Sequence, residues 1–558
     1  MPDFDAIVAG SGITGGWAAK ELTERGLKVL MIERGPNLEH RTDYKTEFTP
    51  PWELDFRGYT DPKLLAGSKR VQKYSRMNEW VKDMFVDDDI ETYQTPPESN
   101  FRWMRGYHLG GRSVMWGRHS YRMSEAHFAA NANDGHGVDW PVRYRDVAPW
   151  YDHVEQFIGV NGTVDGIASL PDGKYQPSMG FNAGEQRLAD LIRAKYPDRR
   201  LLPGRTANLT KAIGDRSPCQ YRNQCGRGCS YGAYFSTQSS TLPAARATGL
   251  LTLLTDTIVE TVDHDPKTRR ATGVRLRNVN TGERSTATAK IIFLCAGSVN
   301  SVAILLRSVS ETMPGGLGNS GGVLGKYFMD HAFGPNVTST IPGLGDRMYL
   351  GRKPNGLTMP RFVNMSGQET DFLRGYAFQG GGQRQGWSRG GNLPGIGSDF
   401  KHQLRQPGEW MISLEPSIEC LPRKENAITV DFRKPDKHGL PTIRIDLRWS
   451  DNEQKAAVHA VNEAKAILSL LGGQITNARA EIAPPGTAIH EMGGACMGRD
   501  PRTSVTNAYN QVHDALNVFV TDGACMSSTG DRNPSLTYMA LTARAAAAAV
   551  DMFKQGTL

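Results

Sequence analysis

Three glycines near the start of the chain restrict its fold more than any other feature. Ala6–Ala9 is a short apolar run, Gly10, Gly12 and Gly15 follow it, a helix-compatible segment extends to Gly26, and a second apolar run, Val29–Ile32, leads into Glu33. Strand, glycine turn, helix, strand and acid in that order form a dinucleotide-binding fingerprint. Gly10 permits the tight turn, Gly12 lets the backbone approach a pyrophosphate, and Gly15 lets helix and strand pack closely. The helix N-terminus offers free N–H groups and the positive end of its dipole to phosphates. Glu33 is placed to accept hydrogen bonds from a ribose. The motif does not separate FAD from NAD; its place at the very start of a long chain leans toward FAD.

At 558 residues the chain exceeds one ordinary core, so at least two domains are expected. Lysine and arginine are dispersed among acids and the net charge is +7, which leaves no nucleic-acid footprint. No run of about 18 apolar residues suggests a membrane span. The first strand is reached by Ala6, so no signal peptide is expected. Strands are expected in 248–260 and 270–296, the latter ending Ile291–Ala296 against Gly297, with a helix from Asn300 to Arg307. Alternating segments such as Trp410–Glu419 and Ala427–Phe432 predict a mostly antiparallel sheet. Glu453–Leu471 is an amphipathic helix stopped by Gly472 and Gly473, and a long helix is expected from Leu536. The expected fold class is α/β: a Rossmann-like dinucleotide domain plus a mainly antiparallel second domain with helices. The expected division is 1–334, with a lid over 40–105, then 335–475 as the substrate domain, then 476–558 returning to the first.

Two further regions carry chemistry. Gly106–Gly117 is a second glycine-rich loop, either a surface loop or a cofactor contact. The tail holds His490–Gly498, then Asn517–Gly523 as a strand ending in an acid–glycine turn, then Asn533-Pro534-Ser535 opening a helix. Taken alone, His490 reads as a hydrogen-bonded structural histidine and Asn533 as a helix cap; a base working near neutral pH is the other reading of His490.

Taken together these segments resemble the glucose–methanol–choline (GMC) flavin oxidoreductases over the whole length. The fingerprint with Glu33, Gly106–Gly117, Gly297–Ser301, Gly325–His331 and the tail all match in order. The resemblance implies that the residue matching His490 takes the proton of a substrate alcohol and that Asn533 hydrogen-bonds the same oxygen. It implies FAD contacts at Gly10, Gly12, Ile13, Thr14, Gly15, Glu33 and Arg34, at Gly110, Gly111, Ser113, Trp116 and Gly117, at Ala296 and Gly297, and at Asp522, Gly523, Asn533, Pro534 and Ser535. Sugar oxidases with covalent FAD carry a histidine where Met115 stands, so the FAD is expected to be non-covalent.

Cys219, Cys225 and Cys229 lie within eleven residues, among glycines. A zinc site usually takes four ligands, and no histidine lies near in sequence; disulfides would leave an odd thiol. An iron–sulfur cluster with three protein ligands fits best, with zinc-bound or free thiols as alternatives. The C-x5-C-x3-C spacing resembles the segment of bacterial GMC sugar dehydrogenases that carries a [3Fe–4S] centre. No Cys-x-x-Cys-His for a c-type haem is present.

The tail is most similar to bacterial glucoside 3-dehydrogenases, except that 494–496 read Gly-Ala-Cys in place of the commoner Thr-Ala-Arg. That resemblance implies oxidation of a pyranose or glycoside at C3, with His490 as base, hydride passing to flavin N5, and electrons leaving through the cluster to a cytochrome c, with a small accessory subunit. The rivals are an oxygen-using sugar or C-glycoside 3-oxidase of the same fold and a non-catalytic flavin–cluster relay subunit. The implied location is periplasmic or membrane-associated, through a twin-arginine signal carried by a partner; the alternative is cytoplasmic. Glu415, Glu419 and Asn426 are polar residues of the expected sheet with no sugar-specific code.

Overall fold

The computed structural model describes residues 4–58, 61, 80–265, 267–349 and 351–558. The lid expected over 40–105 therefore lies partly outside the described residues.

The apolar run at the start becomes the strand Phe4–Ala9, whose last four residues are buried. It pairs in parallel with Val29–Ile32 on one side and Arg284–Leu294 on the other. Strands covered on both faces read as continuous apolar runs, which is why periodicity gave so direct a signal here. An eight-stranded sheet results, in the order Gln511–Val512, Ala515–Val520, Arg284–Leu294, Phe4–Ala9, Val29–Ile32, Leu251–Leu254, with Thr257–Asp265 and Arg270–Asn278 joined antiparallel beside Arg284–Leu294. The segment 248–260 is thus two strands in different pairings rather than one.

The helix Ile13–Glu24 starts directly after Gly12 and packs against the last helix, Ser535–Lys554. Ala545, Ala546 and Ala549 are buried there. Small side chains at a helix contact set a short interaxial distance, which fixes the last helix close to the fingerprint.

A second sheet of six strands runs Ile475–Arg479, Asn336–Ile341, Trp410–Ile418, Tyr376–Arg384, Leu357–Met359, Leu202–Pro203, all antiparallel. One face is apolar: Val337, Ile341, Phe378, Ile412 and Leu414 pack under the helix Asp451–Ser469 through Ala456, Ala460, Ala464 and Ile467. That helix opens with a capping box between Ser450 and Glu453 and is followed by Gly472 at φ +68°. The sheet crosses residue 475 and recruits Leu202–Pro203 and the helix Ala183–Lys195 from earlier in the chain. Ala427–Pro435 does not join it. This strand pairs with Pro441–Asp446 as a separate ribbon, because Ile428, Ile443 and Ile445 bury against the dinucleotide-side core instead.

Candidate active site

A cavity of about 1670 Å³ lies at the carboxyl ends of the parallel strands and reaches the second sheet. Pockets for one small ligand run roughly 300–1000 Å³, so the space suits a dinucleotide and a second molecule together. Gly10 has φ +97°, and a Cβ there would sit 2.4 Å from the Cys295 carbonyl oxygen. A Cβ on Gly15 would sit 1.9 Å from the Gly10 carbonyl oxygen. A Cβ on Gly12 would meet nothing within 4 Å, and Gly12 lines the cavity. The first two glycines serve the protein's own packing; the third leaves room for something else.

Glu33 is buried and accepts from Ser11 N (3.1 Å), Ser11 Oγ (2.5 Å) and Gly35 N (2.9 Å). Burial raises its carboxyl pKa. Arg34 stands 4.2 Å over the Tyr107 ring and pairs with Glu91. Asp522 accepts from Gly297 N (2.9 Å), Ser301 Oγ (2.5 Å) and Ala524 N (3.0 Å), and burial pushes it up to about 6. Ile13, Thr14, Gly111, Ser113, Trp116, Gly117, Ala296, Gly523 and Ser535 line the same cavity, as does Met115. Three expected contacts do not. Gly15 is packed against Gly10; Gly110 donates its N–H to Ser11 Oγ at 2.8 Å from behind the wall; Pro534 is the N-cap of the last helix. The open space at Gly12, the helix N-terminus and the adjacent carboxylate fit the dinucleotide of FAD.

His490 and Asn533 come together across 43 residues, Asn533 Nδ2 lying 3.2 Å from His490 Nε2, and both line the cavity. His490 Nδ1 lies 3.0 Å from His331 Nδ1. His331 Nε2 lies 2.8 Å from the Gly530 carbonyl, and burial holds His331 down at about 4, so it is neutral near pH 7. A carbonyl can only accept, so His331 carries its proton on Nε2 and its Nδ1 is bare. His490 must then donate from Nδ1, which leaves Nε2 unprotonated and accepting from Asn533 Nδ2 at the cavity. Asp330 pins this arrangement, accepting from His331 N (2.9 Å), His490 N (3.0 Å) and Gly486 N (2.8 Å). Burial and the nearby Glu491 carboxylate push Asp330 up to about 7. Ile489, just before His490, has φ +62°, a strained position for a β-branched residue.

Glu491 takes a bidentate bond from Arg112 at 3.0 and 2.7 Å, tying the loop that carries His490 to the glycine loop. Above the pair, the second face of the six-stranded sheet is polar where the first is apolar. Gln379 opposes Glu415 and Gly381 opposes Ser413, and all four line the cavity. Gln379 Nε2 donates to Asn533 Oδ1 at 2.5 Å. Glu419 and Asn426 are buried instead, Glu419 pairing with Arg374 at 3.2 Å. Arg112, Asp330, His331, Gln379 and Glu491 are the residues that sequence reasoning left without a role. Arg112, Asp330, His331 and Glu491 fell inside the motifs named above; Gln379 had no signal, since nothing in its spacing ties it to residue 533.

Cys219, Cys225 and Cys229 are half-buried on one loop, and Cys225 lines the cavity. Burial pushes the Cys219 thiol up to about 11 and Cys229 upward, and each neighbouring thiolate raises them further. Among the described residues no group of three or more His, Cys, Asp or Glu side chains could hold a metal ion. The expected three-thiolate ligand set is therefore not shown among the described residues. Among the described residues, no helix is long and apolar enough to cross a membrane.

Residues 203–333 and 422–542 match the two GMC oxidoreductase family segments. The chain is 28% identical to 2-methyl-1,2-propanediol dehydrogenase of Mycolicibacterium austroafricanum, over 97% of this chain and 94% of that one. It is 23% identical to the fructose dehydrogenase large subunit of Gluconobacter japonicus (99% and 98% covered) and 25% identical to the gluconate 2-dehydrogenase flavoprotein of Pantoea cypripedii (97% and 92%). Pyridoxine 4-oxidase from Mesorbium loti shares the fold, with a TM-score of 0.62 at 16% identity over 98% of both chains. The chain therefore belongs to the GMC oxidoreductase family, flavoproteins that bind FAD and act on CH–OH donors.

Proposed function

We propose that the protein is an FAD-dependent dehydrogenase that oxidises a secondary alcohol of a polyhydroxylated substrate, the C3 hydroxyl of a pyranose or glycoside, to a ketone. The observation that carries this reading is the pair of an unprotonated His490 Nε2 and the Asn533 amide that donates to it, both lining the dinucleotide cavity under the polar face of a sheet. The substrate hydroxyl gives its proton to His490 Nε2. Asn533 Nδ2 donates to the same oxygen and steadies the charge that develops on it. Gln379, Ser413 and Glu415 offer hydrogen bonds to the remaining hydroxyls. When bound, FAD supplies the acceptor for the hydride that leaves the carbon. The choice of a sugar rests on this polar wall and on the tail's resemblance to glucoside 3-dehydrogenases; the names of the fructose and gluconate relatives support it.

The iron–sulfur outlet through Cys219, Cys225 and Cys229 rests on their spacing and on its resemblance to the cluster segment of bacterial GMC sugar dehydrogenases. An accessory subunit, a cytochrome acceptor and folded export on a partner's signal belong to the same proposal, supported by a relative named as a large subunit. The test is anaerobic bleaching of the flavin by D-glucose and methyl α-D-glucopyranoside, with the product analysed for a 3-keto sugar. Bleaching that is lost by about 10²-fold or more in His490→Ala is expected. Equal bleaching in parent and variant overturns the role of His490, and no bleaching of the parent by either sugar overturns the substrate class. Iron and acid-labile sulfide per FAD decide the cluster; hydrogen peroxide formed in stoichiometric yield without iron would make the chain an oxidase.

A further inference from the structure

The hydrogen bonds around His490 form one chain whose direction is set at its first link. The Gly530 carbonyl accepts from His331 Nε2, His331 Nδ1 accepts from His490 Nδ1, and His490 Nε2 faces the Asn533 amide. A bare Nε2 can face only the NH2 end of that amide. The Asn533 oxygen must then point the other way, and there it meets a donor, Gln379 Nε2, at 2.5 Å. Gln379 stands in the strand Tyr376–Arg384 of the six-stranded sheet, while every other member of the chain belongs to loops beside the parallel sheet or the last helix.

An asparagine amide left alone can turn over at little cost. Turned over, Asn533 would aim an acceptor at a lone pair in the free protein, and at the developing negative charge on the substrate oxygen during the reaction. Both are repulsive. We propose that Gln379 is a positioning residue for the reaction: its carboxamide holds the Asn533 oxygen toward the substrate sheet, so that the Asn533 NH2 always faces His490 and the reacting oxygen. This rests on the roles of His490 and Asn533 proposed above. It also gives the second sheet a part in the chemistry as well as in binding, because a shift of the strand that carries Gln379 releases the amide.

Two substitutions separate this role from a substrate contact. Gln379→Glu replaces the donor with an acceptor, so the Asn533 amide turns over and its oxygen faces His490 Nε2. Gln379→Leu removes the donor and adds no charge. The other charged and titratable groups around the pair, His331, Asp330, Glu491, Arg112 and Glu415, are unchanged in both. The experiment uses FAD-loaded protein labelled with [15N]histidine. It reads which ring nitrogen of His490 carries the proton at pH 7, and the limiting rate and pH profile of anaerobic flavin bleaching by D-glucose.

The expected result is an unprotonated Nε2 in the parent and a protonated Nε2 in Gln379→Glu. The limiting rate should fall at least about tenfold in Gln379→Glu, with the profile moved to higher pH, and by a smaller factor in Gln379→Leu. Limiting rates within twofold of the parent with only KM raised, or Nε2 unprotonated in Gln379→Glu, would overturn the proposal. If Gln379→Glu fails to retain FAD, the rate and profile of Gln379→Leu decide. If D-glucose does not bleach the parent, the substrate reading fails, and the position of the His490 proton still tests Gln379.

Discussion

The Nδ1 atoms of His331 and His490 lie 3.0 Å apart, with the two rings at 87° to each other. One must donate and the other accept, and the Gly530 carbonyl behind His331 decides which. His331 thereby selects the tautomer of His490, the proposed base, without itself lining the cavity. His331→Phe keeps an aromatic ring and removes the acceptor. Leaving a buried N–H unpaired costs about 1–3 kcal/mol, and with each 1.4 kcal/mol worth a factor of ten, flavin reduction should slow by about 10- to 100-fold. FAD content should not change. Stopped-flow bleaching and the absorbance ratio of the purified protein check both parts.

The same dipeptide carries two opposed pH linkages. Burial lowers His331 from 6.5 to about 4, so the native state refuses a proton that the unfolded chain accepts, and stability is lost as pH falls from about 6.5 to 4. Asp330 is raised from 3.8 to about 7, so its contribution is full below pH 4 and is lost as pH rises to about 7. Over the shared window the two nearly cancel. His331→Phe removes one of them, and the variant should gain stability relative to the parent as pH falls from 6.5 to 4, by about 3 kcal/mol at 1.4 kcal/mol per pKa unit. Chemical denaturation of both proteins at pH 7 and pH 4.5 shows the sign; a constant difference between them would contradict it.

How much of this was legible beforehand depended on the range of the interaction. The fingerprint was readable because Gly10, Gly15 and the two apolar strands act within 33 residues, through backbone contacts that only glycine permits. His490 and Asn533 were found as separate words of the tail, but no pattern in the chain says that their side chains meet at 3.2 Å. Alternation revealed the strand Trp410–Ile418, since one of its faces is apolar. The same alternation misplaced Ala427–Pro435, because a half-buried strand reads alike whichever core it covers. Gln379 stayed invisible: a polar residue on the cavity face of a strand looks like one facing solvent. The three close-set cysteines were plain to see, but no group that could hold a metal ion is found among the described residues.

Gly12 and Gly15 should fail in different ways. Gly15→Ala puts a methyl 1.9 Å from the Gly10 carbonyl oxygen and forces the helix off the strand, so the apoprotein itself should lose stability by several kcal/mol. Gly12→Ala meets nothing within 4 Å, so the apoprotein should melt within about 1 °C of the parent and yet retain little FAD. Melting curves with and without added FAD distinguish the two.

The Arg112–Glu491 pair joins the glycine loop to the residue beside His490, and the Glu491 side chain is only 2% exposed. The Arg112 side chain is 32% exposed and can turn to water, and Glu491→Gln keeps one acceptor, so about 1–3 kcal/mol is expected. The catalytic loop should loosen with it, and the bleaching rate should fall by more than the change in FAD content explains. A loss of stability with an unchanged rate per bound flavin would restrict the pair to a structural role.

Asn533→Asp tests the amide itself. One carboxylate oxygen still accepts from Gln379, and the other now faces His490 Nε2 where the parent has NH2. Two acceptors cannot share that gap unless a proton enters it, and the nearest site for the proton is His490 Nε2, the position that must be vacant for the imidazole to act as a base. The substrate oxygen also loses its donor, a loss of about 10²–10³ in rate at comparable sites. The fold and the dinucleotide end are untouched, so FAD content should match the parent. Bleaching should be slower by at least that factor at pH 7 and should recover in part as rising pH removes the proton from His490. A variant that bleaches at the parent's rate at pH 7 would show that the Asn533 NH2 does not face the reacting oxygen.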